Sequence, residues 1–483
     1  MKIKATIFTA ALAVSAVSQT ALANEFKPGS VRALGMGGSN VASTNNVDAS
    51  YWNPAAYGFF GKESAVDNNG MADKGFGLEL NADVGAYLFG PIAANMTKAS
   101  ALPTTTIGAV GTLTPAGIKD AALLVDGLTS LDPTPGGVNV LAGASLGARV
   151  SNYGLGIRSS AEVNASISFD NNNTGLNLFS SFVAAGAPAV PLPVAPQYFT
   201  VLQRDQMIGD LQLGANAMTA AQANAVVAAY DASLVGTPTS EQVAMVNALK
   251  TLHSAPGDLT KNNTVLSSRG VVISEVGVTY GHSLGDNLSL GTVLKYIQAD
   301  MIATDVFLLG NNNTNATSFS KTNVETSTGL GIDLGVMYRI PDWQFGLTAR
   351  NINSPSFEHK ASGYVYTLKP QAKVGAAWIP SDTFTIEAGY DITKNTGAVA
   401  ASESQYWNVG LEWDAFNVVA IRAGAFKNTA QNDIGVVPTL GLGLNLWAAR
   451  IDLGAAVSSK KVVLEGKSTP VYAMGSLAIT IDF

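Results

Sequence analysis

The sequence predicts an all-β fold: a fourteen-stranded transmembrane antiparallel β-barrel with partly helical extracellular loops. Three observations carry this expectation. Apolar residues alternate with polar or glycine residues in segment after segment. The joins between those segments sort into short and long in strict turn. No stretch suits a membrane-spanning helix, which needs about 20 predominantly apolar residues. The nearest candidate, 182–199, carries Pro188, Pro191, Pro193 and Pro196, and proline breaks a helix interior.

Composition agrees. Hydrophobic residues are 47% of the 483 and charged residues 13%, against ~25% charged in a typical soluble domain. Such weak charge without a sustained apolar stretch argues against an ordinary soluble enzyme. The chain has no Cys, which excludes disulfides, thiolate zinc sites, Fe–S clusters and a cysteine nucleophile. A formal net charge of −7 speaks against a nucleic-acid partner.

In chain order, residues 1–23 read as an export leader. Lys2 and Lys4 form its basic end, Ile7 to Val17 its apolar middle, and Ala21-Leu22-Ala23 a small-x-small cleavage site. An exported chain without Cys suits the bacterial periplasm or outer membrane. Residues 24–70 precede the barrel, which is expected over 71–483.

Strands are expected at about 76–89, 139–150, 154–169, 269–282, 287–304, 326–339, 343–353, 363–378, 383–393, 404–414, 417–427, 434–446, 449–460 and 470–483. Phe384, Ile386, Ala388 and Tyr390 alternate with Thr385, Glu387, Gly389 and Asp391, so one face is apolar and the other polar or small. A soluble sandwich also alternates. Here the polar face is rich in Gly and the apolar face often ends in an aromatic, as lipid-facing bands and girdles require. Joins such as Gly285-Asp286 and Pro341-Asp342 are tight turns, whereas 90–138, 170–268, 305–325, 354–362, 394–403, 428–433 and 461–469 are long. Short periplasmic turns alternating with long external loops are the outer-membrane pattern. The last strand alternates apolar residues up to Phe483, which resembles the signal read by the barrel-assembly machinery. Helical inserts are expected within 90–138, around 116–125, and within 170–268, at 220–235 and at 240–253 with Ser240 as N-cap. They read first as packed decoration of the mouth and second as a ligand-gathering lid.

Inward-facing titratable residues form the main candidate set: Arg158, Glu162, Glu275, Lys295, Asp333, Arg339, Arg350, Lys369, Lys373, Glu387, Asp391, Glu412, Asp414, Arg422, Arg450 and Asp452. Buried charges must be paired or hydrated, so they are expected to form an ion-pair network holding the N-terminal segment and the wall. A selective pore is the second reading. No hydrophobic through-channel is visible on the strands; a greasy site would come from the N-terminal segment and loops. Catalysis has little support, because nothing in the sequence places a Ser beside His253, His282 or His359. Paired His spacing for a metal is missing too. Asp170-Asn171-Asn172-Asn173 and Asn311-Asn312-Asn313 read as turns rather than Ca²⁺ loops. Neither a catalytic residue, nor a metal, nor a cofactor is expected.

The N-terminal stretch contains Arg32-Ala33-Leu34-Gly35-Met36-Gly37-Gly38 and Tyr51-Trp52-Asn53-Pro54-Ala55. A nucleotide-loop reading of Gly35, Gly37 and Gly38 fails, since no strand precedes them and no helix follows. The stretch resembles the hatch of the FadL-like outer-membrane transporters, whose Asn-Pro-Ala motif lies inside the barrel. The fuller resemblance is to the TraF-like outer-membrane β-barrel family. It adds Arg269-Gly270, Glu275-Val276-Gly277, Gly363-Tyr364, Leu368-Lys369-Pro370-Gln371, Asp391-Ile392-Thr393-Lys394 and Arg422-Ala423-Gly424. The resemblance implies a fourteen-stranded barrel with an internal N-terminal plug or hatch, residues 24–70, in which Asn53, Pro54 and Ala55 make the hatch kink with Gly35, Gly37 and Gly38 nearby. It further implies a passive channel for a small hydrophobic solute. The expected partners are outer-membrane lipid, the barrel-assembly machinery during biogenesis and that solute. The alternative is a structural or assembly component of an envelope secretion or conjugal-transfer complex without solute transport.

Overall fold

The computed structural model describes residues 30–64, 66–67, 69–102, 115–176, 199–212, 218–233, 240, 244, 247–248, 251–252, 254–310, 324–396, 403–446, 449–464 and 466–482. The expected leader, Asn311 to Asn313, His253, most of the 240–253 helix and Phe483 lie outside the described residues.

Fourteen strands close into one antiparallel barrel in which each pairs with its neighbours in chain order and the first pairs with the last. They are β1 Phe76–Phe89, β2 Gly136–Val150, β3 Tyr153–Ser168, β4 Val265–Leu284, β5 Leu288–Phe307, β6 Val324–Ile340 and β7 Trp343–Arg350. The second half comprises β8 Gln371–Ser381, β9 Phe384–Asp391, β10 Tyr406–Ala415, β11 Val419–Asn428, β12 Val436–Leu446, β13 Ala449–Val457 and β14 Tyr472–Asp482. Closure runs from Gly77↔Asp482 to Tyr87↔Tyr472. With no free edge, every wall strand has its backbone groups paired, which is what hydrocarbon demands.

The outward face carries the apolar half of the alternation. Leu78, Leu80 and Val84, Leu290 and Leu294, and Leu440, Leu442 and Leu444 are all exposed. Near the short-turn end Tyr153, Tyr280, Tyr338, Trp343, Phe345, Trp378, Trp413 and Phe416 also point outward, and Trp343 stacks on Phe345 at 6.1 Å. This is an aromatic girdle below an apolar belt. β4 and β5 run 20 residues each, or about 65 Å of strand. That exceeds the ~30 Å hydrocarbon core even when tilted, so one side of the wall stands well above the membrane.

The eighth strand begins later than expected, at Gln371 rather than 363. Tyr364–Thr367 instead pairs with Ser356–His359 in a separate hairpin, His359 opposite Tyr364. Gly363 turns that hairpin with φ +66°, and Pro370, lacking an N–H, cannot continue a ladder into the wall. Lys369 therefore does not face the lumen; it is exposed in the connection.

The long joins carry helices. Ile92–Ala101 (α3) and Pro115–Thr129 (α4) lie between β1 and β2, and Val201–Leu211 (α5) and Ala220–Ser233 (α6) between β3 and β4; Val31–Gly35 (α1) and Ala49–Trp52 (α2) belong to the hatch. Buried residues of α3 and α4, such as Ile92, Leu124, Val125 and Leu128, join one apolar core with the upper wall. The α5–α6 pair has its own small core of Phe199, Met207, Leu211, Ala223 and Val227, with Arg204 buried against Asp231 at 3.2 Å. Asp170 accepts bonds from the backbone of Asn172 and Asn263 and from Asn173 Nδ2, as a turn residue does. Burial raises its pKa, but these hydrogen bonds outweigh it and leave the carboxyl below the usual range.

Candidate functional site

The hatch begins with α1, Val31–Gly35, capped by Ser30 Oγ accepting from the Ala33 N–H at 3.2 Å. α2, Ala49–Trp52, and a 3₁₀ turn, Pro54–Gly58, follow. Nearly all of 30–60 is buried. Asn53 is extended (φ −159°, ψ 101°) and its side chain makes three bonds. Oδ1 accepts from the Ala55 N–H at 3.1 Å, and Nδ2 donates to the carbonyls of Val41 and Val336, each at 3.0 Å. Pro54 opens the 3₁₀ turn where its missing N–H costs nothing. The Asn-Pro-Ala box thus lies at a bend that also touches the wall at β6.

The glycines of the inward face acquire a physical reason here. They sit where hatch backbone presses on strand backbone. A Cβ on Gly291 would stand 2.1 Å from the Pro54 carbonyl carbon, and one on Gly410 would stand 2.2 Å from the Met36 carbonyl oxygen. Gly37 adopts φ +68°, and a Cβ there would lie 2.6 Å from Ala425 backbone. Gly35 lies against Gly441 and Arg422, while Gly38 leaves room but also has positive φ.

Wall charges grip the hatch. Glu387 accepts the backbone N–H groups of Val41, Ala42 and Ser43 at 2.8, 3.0 and 2.9 Å. Glu412 pairs with Arg32 at 2.8 Å and with Arg422, which reaches Asp452 at 2.7 Å. Arg450 bonds Asp452 at 3.0 Å and lies 3.6 Å from Asp414. A second group joins Lys295 to Glu275 and Asp333 at 3.1 and 3.0 Å, and Arg350 to the same two acids at 3.4 and 3.5 Å. Arg158 and Arg350 both lie 3.9 Å from the Tyr51 ring centre. Arg339 covers Phe59 and pairs with Asp67 at 3.3 Å; Arg149 covers Phe60. Lys373 lies 3.4 Å from Asp391 and over Trp52. Glu162 accepts from Asn139, higher on the wall. The expected lumen charges other than Lys369 are therefore inside, most of them in hatch-to-wall or wall-to-wall pairs.

Above the hatch part of the wall is apolar, so greasy surface comes from the strands as well as from hatch and loops. Val271 and Ile273 of β4 and Ile297, Ala299 and Met301 of β5 are buried beside Phe357, Tyr366 and Leu368 of the side hairpin. Across the barrel Tyr406, Phe426 and Tyr472 form a cluster with both ring pairs at 5.5 Å, and Tyr87 stacks on Tyr472 at 6.1 Å. The first set escaped notice because runs such as Val271-Val272-Ile273 are apolar on both faces. The second was readable: Phe426 follows Arg422 and Gly424 on one face, and Tyr87 follows Glu79 and Asp83. The hatch side of the grip, Asp48, Tyr51 and Asp67, carried no signal, since a plug has no periodicity.

A further expectation is corrected. Ser362 Oγ lies 2.8 Å from His359 Nδ1, so one His does have a serine beside it. The two sit three residues apart in the turn of the side hairpin, where Ser362 Oγ also accepts from the Tyr364 N–H. This is a turn-forming hydroxyl.

A closed wall, a lipid-facing belt and an internal plug define a plugged transmembrane β-barrel. By sequence, the chain belongs to the family described as "F plasmid transfer operon, TraF, protein", whose model matches residues 136–391. A comparison with curated proteins finds no match. Among solved structures the chain is similar to the Ralstonia pickettii toluene transporter TbuX, with 11% identity over 95% of this chain and 100% of that one and a TM-score of 0.45. It is also similar to the Pseudomonas putida toluene transporter TodX (9%, 94% and 97%, TM-score 0.42). A Pseudomonas aeruginosa FadL homologue gives 10%, 96% and 99%, and 0.42.

Proposed function

We propose that this chain is a bacterial outer-membrane barrel acting as a passive, FadL-like channel for a small hydrophobic solute. The observation that carries the reading is the change of lining along the lumen. Apolar side chains from β4, β5 and the loops, and the aromatic cluster of β1, β10, β11 and β14, face inward above a polar, ion-paired hatch. An apolar surface held away from lipid and behind loops suits the capture of an apolar solute from outside. Such movement runs down a gradient and requires no cofactor or catalytic residue. Toluene serves as probe. Vesicles containing the barrel should take it up faster than empty vesicles, and Phe426→Asp, which puts a charge in the aromatic cluster, should cut the protein-dependent rate severalfold. Equal uptake by the native chain and empty vesicles would remove the reading.

The family description favours one rival, a structural or assembly role in an envelope transfer complex. A stoichiometric envelope partner combined with no solute flux would support it.

The orientation follows from loop parity: the helical joins face outward. Trypsin added to intact cells should cut after Lys261, which is exposed, well before it cuts at Arg204, which is buried with Asp231. Cleavage only after the outer membrane is breached would invert every loop.

A further inference from the structure

We propose that the polar side of the lumen is a second passage, separate from the apolar route, that conducts water and small inorganic ions and is gated by the hatch segment 45–48. Two cavities support this. The lower one, about 490 Å³, opens beside the short turns and is lined by Arg32, Asn45, Asn46, Arg450, Thr480 and Asp482 among others. The upper one, about 50 Å³, lies between the hatch and β2–β5 and is lined by Asp48, Glu79, Gly147, Gly156, Thr279 and Lys295 among others.

A single row of the wall runs through both. Strand pairing links Asn445 to Arg450, Arg450 to Thr480, Thr480 to Glu79, Glu79 to Gly147, Gly147 to Gly156, Gly156 to Gly277 and Gly277 to Lys295. Barrel strands are tilted, so a row perpendicular to them climbs as it goes round. This one starts at Asn445, next to the strand end Leu446, and reaches Lys295 well inside β5. The row is therefore a ramp from the short-turn mouth into the lumen. Its middle positions are three glycines, and over Gly156 the space is open: an added Cβ would meet only Ser50 Oγ, at 4.0 Å.

The two cavities are separated at Glu79, which lines the upper one. Asn46 lines the lower cavity and donates Nδ2 to Glu79 Oε2 at 2.8 Å; Val47 presses on Gly147; Asp48 lines the upper cavity and lies 3.8 Å from Arg158. Segment 45–48 is thus a thin partition across an otherwise polar path. Each side holds a buried polar atom with no hydrogen-bond partner among the described residues, Asn46 Oδ1 below and Thr279 Oγ1 above, and water or a hydrated ion passing along the ramp would satisfy both. A volume of about 50 Å³ holds only a few waters, which limits the traffic to small ions. Four basic side chains and two carboxylates line the lower cavity, and three and four line the upper, so neither sign of small ion is excluded.

The test is conductance of the full mature chain in planar bilayers under a KCl gradient. The native barrel should show small currents. Asn46→Ala removes the hydrogen bond at the partition and should raise the current severalfold. Glu79→Ala removes the acceptor of the same bond and should raise it likewise. Gly156→Ala adds a Cβ to open space and should reduce the current. All three should take up toluene at the native rate, so failure here is distinguishable from failure of the hydrophobic route. Retained heat-modifiable mobility on gels establishes folding. Absence of current in both the native chain and Asn46→Ala overturns the proposal. So does a current unmoved by Glu79→Ala or by Gly156→Ala.

Discussion

Deleting residues 26–60 is expected to turn the barrel into an open pore, with leak of small polar solutes from liposomes rising on the order of tenfold or more, since a barrel of fourteen strands is wider than the eight-stranded kind that wall side chains alone can fill. In this chain the filling is done by the hatch. Its backbone touches the wall at Gly291, Gly335, Gly346, Gly410 and Gly424, positions that contribute no side chain to close the lumen once the hatch is gone. The wall itself should survive, because its ladder is continuous from β1 round to β14. Liposome swelling with small sugars measures the effect. Unchanged permeability in a heat-modifiable, folded deletion variant would remove the plug claim.

The second large effect is on stability. Glu412→Ala should destabilise the folded barrel by about 3 kcal/mol, the usual consequence of removing one partner from a buried ion pair. Glu412 is the common acceptor of Arg32, Arg422 and Arg450, and its side chain and that of Arg32 are each 6% exposed. Without it Arg422 keeps Asp452, whereas Arg32 loses its carboxylate and, among the described residues, retains Asn40 and Ser43 of the hatch. The substitution should therefore also loosen α1, so that the unfolding midpoint in urea falls and leak rises together. A double-mutant cycle with Arg32→Ala separates the two contributions, since a shared interaction makes the paired losses less than additive. An unchanged midpoint would mean that lumenal water already screens these charges.

How much of this was legible beforehand differs by residue class. Thr385, Glu387, Gly389 and Asp391 share a face on alternation alone, and Glu387 and Asp391 do point inward. The tight turn at Pro341-Asp342 was equally plain, with Asp342 at φ +63°. Strand count and the alternation of short and long joins are local or counting properties, so one chain read in order contains them. Side-chain period two determines which residues share a face, and a charged face cannot meet lipid.

Which charges pair with which is another matter. Arg32 and Glu412 are 380 residues apart, and no periodicity connects a plug to the wall it enters. Local pattern also misplaced Tyr364–Thr367, whose apolar alternation is as good as that of a wall strand; its partner, Ser356–His359, exists only in three dimensions. Above the hatch, Val271 and Ile273 look no different from Val272 until closure decides which face encloses the lumen. The sequence by itself determined a closed, lipid-facing barrel with a glycine-rich interior and inward charges, because these follow from period and composition. Only the tertiary structure decided that the glycines receive hatch backbone, that the charges grip it, and that one polar ramp runs past it, because those depend on contacts between segments hundreds of residues apart.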